Sequence, residues 1–229
     1  PAGATISQNT VYAIRATNTG AVQNNPTGIG YSNPSGGVIT RNRIYDITNA
    51  STMAVATTPP TAIGLLIRAA LGTGVTISNN MISLGNGQTT NTEFIGMINS
   101  FNNVSNFVYY NTVNIEGTAA AGALPSFCFL RGDNSAASAV TSPVDIRNNI
   151  FNNTRTGGTG IHYAIGNNYG NAASSATGWG ASASNYNALN GSGGVGYWNT
   201  TQNFGGWKTA SAGDALSVSG VTVTFTNTT

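Results

Sequence analysis

One short pattern recurs along the chain and restricts the fold more than any other feature. In each copy an aliphatic residue stands three positions before an asparagine, and an apolar residue stands two positions after it. The marked asparagines follow one another at intervals of 33, 38, 31 and 38 residues. Self-similarity at such a period is typical of solenoid and array proteins, in which each repeat stacks on the next. The marked residues are Asn9, Asn42, Asn80, Asn111 and Asn149.

A second apolar segment precedes the later copies. It is marked by Ile63, Ile95, Phe127 and Ile161, at intervals of 32, 32 and 34 residues. Each unit therefore has an apolar segment, a segment that enters the asparagine and a segment that leaves it. These segments are short and bounded by Gly, Asn, Ser and Pro, which favours strands over helices. We predict an all-β, right-handed parallel β-helix solenoid of about six coils, each of roughly 33 residues with three short strands.

The marked asparagines are predicted to stand at the corners between two strands, because Asn tolerates the left-handed backbone conformation that a sharp corner needs. Coils stack about 4.8 Å apart. Successive side-chain amides can then donate to one neighbour and accept from the other, which forms a structural ladder. The alternative is that these are ordinary exposed turn asparagines.

The regular coils are assigned to residues 1–170. Residues 171–229 are predicted to form an irregular last coil and C-terminal strands of the same solenoid domain. We expect Trp179, Trp198 and Trp207 to anchor a lid over this end, since a solenoid must protect its terminal strands.

Composition excludes several classes of function. Charged residues make up 6% of the chain and hydrophobic residues 40%, which is not the composition of a disordered protein. The basic residues are scattered singly, so we expect no nucleic-acid partner. The longest apolar stretch, 62–71, contains Arg68 and is too short to insert into a membrane. The chain begins at Pro1 without a signal peptide, and we expect it to be a processed piece of a longer precursor.

The residues that could carry chemistry are few and dispersed. His162 is the only histidine, which excludes a His-rich metal centre. Cys128 stands between two phenylalanines and is expected to be buried. The six acidic residues fall at different phases of the repeat, so we expect no carboxylate pair and no calcium site. We therefore predict no catalytic residue, no metal site and no cofactor. The acids are Asp46, Glu93, Glu116, Asp133, Asp145 and Asp214.

Four tyrosines are candidate surface contacts. Tyr12 and Tyr45 each follow a marked asparagine by three residues and should share a column, and Tyr109 and Tyr110 lie on a later unit. Exposed tyrosines on a weakly charged sheet can stack on sugar rings or contact proteins. The alternative is that they only cover neighbouring strands. Thr222–Thr226 alternates threonine with apolar residues, as flat ice-binding arrays do, but within one strand only.

The Ile-x-Asn-Asn-x-Ile pattern resembles the parallel β-helix repeat of the pectate-lyase-like superfamily. A narrower resemblance lies in residues 144–165, 185–189 and 207–217 and in Tyr197-Trp198. This series is similar to large repetitive surface proteins of Bacteroidetes-type bacteria, many of which are exported by the type IX secretion route. The resemblance implies an extracellular or outer-surface location.

Together these features predict a structural or adhesive segment of a secreted surface protein or filament, without catalysis. Residues Thr5–Ile14 already follow the repeat and contain no feature that would protect an exposed strand edge. We therefore expect neighbouring modules or subunits to stack end to end there. The first alternative is a carbohydrate-binding or carbohydrate-active β-helix, with glycans as partners. The second is an ice-binding protein.

Overall fold

Three long sheets of parallel strands form the faces of the molecule, and the chain passes from one face to the next in the same order throughout. The fold is a parallel β-solenoid, which confirms the predicted all-β class. The computed structural model describes residues 3–21, 23–32, 36–52, 59–68, 74–100, 105–132, 138–170, 172–179 and 183–225.

The first face contains the strands that enter the marked asparagines, and the second face contains the strands that leave them. The first is built from β1 (Ala4–Ser7), β5 (Gly37–Thr40), β9 (Val75–Ser78), β12 (Asn106–Tyr109), β16 (Val144–Arg147) and β20 (Ser184–Asn185). The second is built from β2 (Thr10–Val11), β6 (Arg43–Tyr45), β10 (Met81–Leu84), β13 (Thr112–Ile115), β17 (Ile150–Asn153) and β21 (Ala188–Gly191).

The third face contains the apolar segments and ends in an antiparallel strand. It is built from β4 (Thr27–Tyr31), β8 (Thr61–Ile67), β11 (Glu93–Asn99), β15 (Ser126–Arg131), β19 (His162–Asn167), β22 (Gly194–Trp198) and β23 (Thr200–Gln202). Two short pairs lie outside the faces, β3 (Ile14–Ala16) with β7 (Ile47–Asn49) and β14 (Thr118–Ala119) with β18 (Thr156–Gly157). One helix, α1 (Phe204–Ser211), follows β23.

Alternation along the strands builds the core. On the first face Ile39, Ile77 and Ile146 point inward and are buried, while the residues between them are half-buried or exposed. Parallel strands with this period of two place residues of one type in continuous columns along the solenoid. The third face is apolar on both sides, since Leu65 belongs to the central core and Ile63 belongs to a second cluster.

A column of small residues runs through the third face, and it explains the lone cysteine. Gly64, Gly96 and Cys128 occupy equivalent positions of successive strands, as the register of their neighbours shows. A β-carbon at Gly96 would lie 2.3 Å from Cγ1 of Val113, so this position leaves little room for a side chain. Cys128 is fully buried there as a small apolar residue.

The regular solenoid comprises about four turns, slightly fewer than the six coils predicted. Two faces reach six strands, but their outermost strands β2 and β20 have only two residues each. The C-terminal part departs from the regular coils. It contains the helix α1, which the repeat pattern does not indicate, and residues 221–225 form no strand.

Candidate functional site: the asparagine column and its two ends

The corners between the first and second faces are built from two residues, and the marked asparagine is the second of them. The first residue, not the asparagine, adopts the left-handed conformation, so the predicted reason for asparagine at this place is wrong. The left-handed residues are Gln8, Arg41, Asn79, Tyr110, Asn148 and Tyr186, with φ between 55° and 59°. The marked asparagine serves the corner through its side chain instead.

The asparagine side chains form one continuous hydrogen-bonded column. Asn42 Nδ2 donates to Asn80 Oδ1 at 2.9 Å, and Asn80 Nδ2 donates to Asn111 Oδ1 at the same distance. Each Oδ1 also accepts the backbone N–H of the preceding asparagine, for example Asn42 N to Asn80 Oδ1 at 3.0 Å. The second amide hydrogen reaches back to the preceding coil, as in Asn80 Nδ2 to Ile39 O at 2.9 Å. The amides from Asn42 to Asn149 are therefore buried and hydrogen-bonded on both sides.

The column has a sixth member that the sequence pattern missed. Asn149 Nδ2 donates to Asn187 Oδ1 at 3.0 Å, and the two residues are again 38 positions apart. The pattern missed Asn187 because Ser184 stands where the other copies have an aliphatic residue. The 38-residue interval is the signal that could have found it.

The column ends on a buried carboxylate. Asn187 Nδ2 donates to Asp214 Oδ1 at 3.1 Å, so the carboxylate takes the place of the next amide. Asp214 Oδ2 accepts the indole N–H of Trp207 at 2.8 Å. Both Asp214 and Trp207 are fully buried. Along the column each amide gives one hydrogen to the next Oδ1 toward the C-terminal end, and the last of these donors meets Asp214.

The C-terminal end is closed on all three faces. The N–H of Asp214 donates to Ser184 O on the first face, Val218 bonds to Asn187 and Leu189 on the second, and β23 pairs with β22 on the third. Trp207 on α1 packs against Gly196, where a β-carbon would lie 2.3 Å from its ring. The three tryptophans predicted to anchor a lid are in contact, with Trp179 and Trp198 edge-on to Trp207 at 5.5 and 5.9 Å between ring centroids.

The N-terminal end is open in the described part of the chain. The strands β1, β2 and β4 are the end strands of their sheets, and no residue from 3 to 21 is buried. Asn9 donates to Asn42 Oδ1 at 2.9 Å, but no described group donates to Asn9 Oδ1. Tyr12 stacks on Tyr45 with ring centroids 5.2 Å apart and an angle of 6° between the planes, and its side chain is 56% exposed. The core is open here as well, because Ile6 and Val11 are only half-buried.

The four candidate tyrosines do not form one platform. Tyr12 and Tyr45 share a column on the outer side of the second face, whereas Tyr109 lies on the first face and Tyr110 occupies a left-handed corner. Tyr109 donates to Asp145 Oδ2 at 2.7 Å. Its partial burial and this hydrogen bond raise the pKa of Tyr109 to about 12. Tyr110 is 60% exposed.

A second amide column lies on the outer side of the second face. Asn152 Nδ2 donates to Asn114 Oδ1 at 2.8 Å, and Asn190 Nδ2 donates to Asn152 Oδ1 at 3.1 Å. The C-terminal segment 218–225 crosses this face, and Asn190 holds it through Gly220 N at 2.9 Å and Val221 O at 2.7 Å. A cleft of about 410 Å³ lies between this segment and the face, and its walls carry amides and hydroxyls. Thr222 belongs to this segment and is exposed, and Thr226 lies outside the described residues.

The only histidine is part of a buried polar network. His162 Nδ1 lies 2.9 Å from Ser126 Oγ, and Asn153 Nδ2 donates to the same hydroxyl at 2.9 Å. All three residues are buried. Burial, and then the nearby cation of Arg155, lower the pKa of His162 to about 4. The imidazole is therefore neutral and enclosed at neutral pH.

Two arginines are buried, which the sequence did not indicate. Arg131 donates to Asn167 Oδ1 and to loop carbonyls, and its guanidinium lies 5.0 Å from the ring of Trp179. Arg155 donates to three loop carbonyls, among them that of Thr90 at 2.8 Å. Burial lowers the pKa of each arginine to about 10. These side chains fasten loops to the coils.

The acidic residues that the structure describes lie apart from one another. Asp46 contacts Arg15, Asp145 contacts Arg147, and Asp214 closes the asparagine column. Asp133 lies outside the described residues. Among the residues that the structure describes, His, Cys, Asp and Glu form no group of three that could hold a metal ion.

No described helix has the length and apolar character needed to cross a membrane. Comparisons with protein-family models, with curated proteins and with solved structures give no match. The structure establishes the architecture of the chain, which is a parallel β-solenoid with buried asparagines at its corners.

Proposed function

We propose that this chain is a structural or adhesive segment of a secreted cell-surface protein or filament, and that it has no catalytic role. The observation that carries the proposal is the asparagine column, which uses its amides for internal hydrogen bonds from Asn9 to Asp214. A polar column whose interior members are all hydrogen-bonded stabilises an elongated body, since each such bond contributes about 1 kcal/mol net. Its open N-terminal end suits a neighbouring module.

The state of the reactive side chains supports a role without catalysis. Ser126 and His162 contact each other but are buried, and Asn153 Nδ2 donates to the Ser126 hydroxyl. Cys128 is buried, and burial raises the pKa of its thiol well above the ordinary value. A nucleophile or base must reach its substrate to act. These groups are enclosed in the coils and serve packing.

The low charge and the motif resemblance support a place outside the cell. A chain with 6% charged residues must obtain its solubility from amides and hydroxyls, as repetitive surface proteins do. The type IX route remains the export mechanism that the resemblance favours.

Imaging of the native material tests this proposal. We expect gold-labelled antibodies against the chain to bind intact cells, and electron microscopy to show rods or filaments that carry the label. Permeabilised cells are the control for label that is present but not reachable. Label that appears only after permeabilisation would contradict the surface location.

A carbohydrate-binding role is the second candidate, and the cleft under segment 218–225 favours it. Its walls include the exposed hydroxyls of Thr154 and Thr222, which are uncharged groups suited to sugar hydroxyls. A glycan array probed with the full chain would test this role. Thr222→Ala should weaken binding, while Asn79→Ala, at an exposed asparagine outside the cleft, should not. An array without signal would remove this candidate.

A further inference from the structure

The asparagine column has a direction, and the two ends of the molecule therefore differ in what they can bind. In each step the amide of the earlier coil donates and the Oδ1 of the later coil accepts, from Asn9 to Asn187. The N-terminal end thus presents an acceptor, Asn9 Oδ1, beside the amide hydrogen of Asn9 that in the later asparagines reaches a carbonyl of the preceding coil. A partner that continues the column there must present a donor.

A second copy of this chain cannot supply that donor in register. The amide that would have to donate is that of Asn187, and Asp214 Oδ1 already accepts from it at 3.1 Å. The strand edges at that end are also occupied, by β23 on the third face and by Val218 on the second. Head-to-tail stacking of copies would require the whole C-terminal segment to leave.

Two N-terminal ends do not match each other either. Copies related by a two-fold axis would pair their end strands antiparallel, whereas the pairs between successive coils, from β1 with β5 onward, are parallel. The corner at Asn9 therefore favours a partner other than a second copy of this chain.

We propose that the N-terminal rim, defined as β1, β2, Asn9 and Tyr12, is a one-way docking surface for the last coil of a different parallel β-solenoid segment. That coil carries a corner asparagine whose amide and backbone N–H donate to Asn9 Oδ1. It also carries a planar side chain that covers the open face of Tyr12, as Tyr12 covers Tyr45. This inference rests on the proposed structural role and names the partner that the role requires.

A full-length chain with one added coil tests the rim. A copy of residues 3–35, which matches the 33-residue interval from Asn9 to Asn42, is placed directly before Gly3. Hydrogen exchange should slow at least about tenfold at the amides of β1 and β2, because the rim becomes an interior coil. The matched control has alanine in place of the corner asparagine of the added coil, and it should lose most of that protection.

Protection of β11 and β15, deep in the molecule, reports that the body of each fusion is folded. If that protection is intact while the rim gains none, the rim is not a docking surface. Sedimentation of the unmodified chain at rising concentration tests the one-way claim. We expect a monomer, and head-to-tail polymers would overturn it. Neither result depends on where the native protein resides, so failure here is distinct from failure of the imaging experiment.

Discussion

The two ends of the solenoid differ in how far they are covered. The N-terminal end is open, whereas the C-terminal end is closed on all three faces. The first part of the first coil, residues 3–21, contains asparagine and isoleucine at positions that are buried in later coils, yet none of these residues is buried. The last coil is covered by Asp214, by Val218, by β23 and by α1, which do not follow the repeat. A repeat therefore builds the interior, and a sequence outside the repeat is needed to end it.

The largest expected effect is at the closed end, at Trp207. Trp207→Ala should lower the free energy of unfolding by about 3–5 kcal/mol, because it removes a fully buried ring and leaves Asp214 Oδ2 without its donor. Urea unfolding followed by circular dichroism measures the loss. Tyr12→Ala at the open end is the control and should cost less than about 1 kcal/mol. Equal losses would mean that the two ends do not differ in packing.

The next effect contrasts two members of the same column. Asn80→Ala should lower the free energy of unfolding by about 3 kcal/mol, because Asn42 loses the acceptor of two hydrogen bonds and Ile39 O loses a donor. Asn9→Ala removes an exposed amide and should cost less than about 1 kcal/mol. Thermal or urea unfolding of both variants gives the comparison. A loss at Asn9 as large as at Asn80 would show that the rim is already as ordered as the interior.

The third effect concerns His162, which lies between the two ends, and it makes the free energy of unfolding depend on pH. The pKa of His162 is about 4 in the folded chain, below its ordinary value of 6.5, so the unfolded state binds more protons between these values. The free energy of unfolding that depends on a neutral His162 is fully present above pH 6.5 and is lost as the pH falls toward 4. The loss should be about 2 kcal/mol at pH 5.

Urea unfolding at several pH values measures this loss. His162→Gln should flatten the curve between pH 6.5 and 5, since the amide does not titrate there. Trp207→Ala should lower the whole curve and leave its slope unchanged. A histidine variant with the same slope as the parent would show that other groups control the acid sensitivity.

The period of the sequence is sufficient to predict the coils, because few folds other than a solenoid repeat a strand pattern at a nearly constant interval. It also placed the corner asparagines. It assigned them the wrong backbone role, because the left-handed residue varies in type from Gln8 to Tyr186 and so leaves no pattern. The column of Asn114, Asn152 and Asn190 was missed for a related reason, since Ser83 and Tyr45 hold the equivalent positions of the earlier coils.

The closed end could not be predicted from the repeat at all. The helix α1 contains Gly205 and Gly206, which disfavour a helix by about 1 kcal/mol each. It forms because Asn203 caps its first turn through Gly206 N at 2.8 Å and because Trp207 is buried against the last coil. Tertiary contacts therefore determine that this segment is helical, and local sequence preferences do not reveal those contacts.

The smallest effect concerns the exposed corner of the column. Tyr110 has a φ of 57° and is 60% exposed, so its side chain gains little from packing while its backbone is strained. Tyr110→Asn should raise the free energy of unfolding by up to about 1 kcal/mol, because asparagine tolerates this conformation, as Asn79 and Asn148 do in neighbouring coils. The reciprocal change, Asn148→Tyr, should lower it by a similar amount. If urea unfolding shows that Tyr110→Asn lowers stability instead, the tyrosine ring contributes a contact at this corner that outweighs the strain.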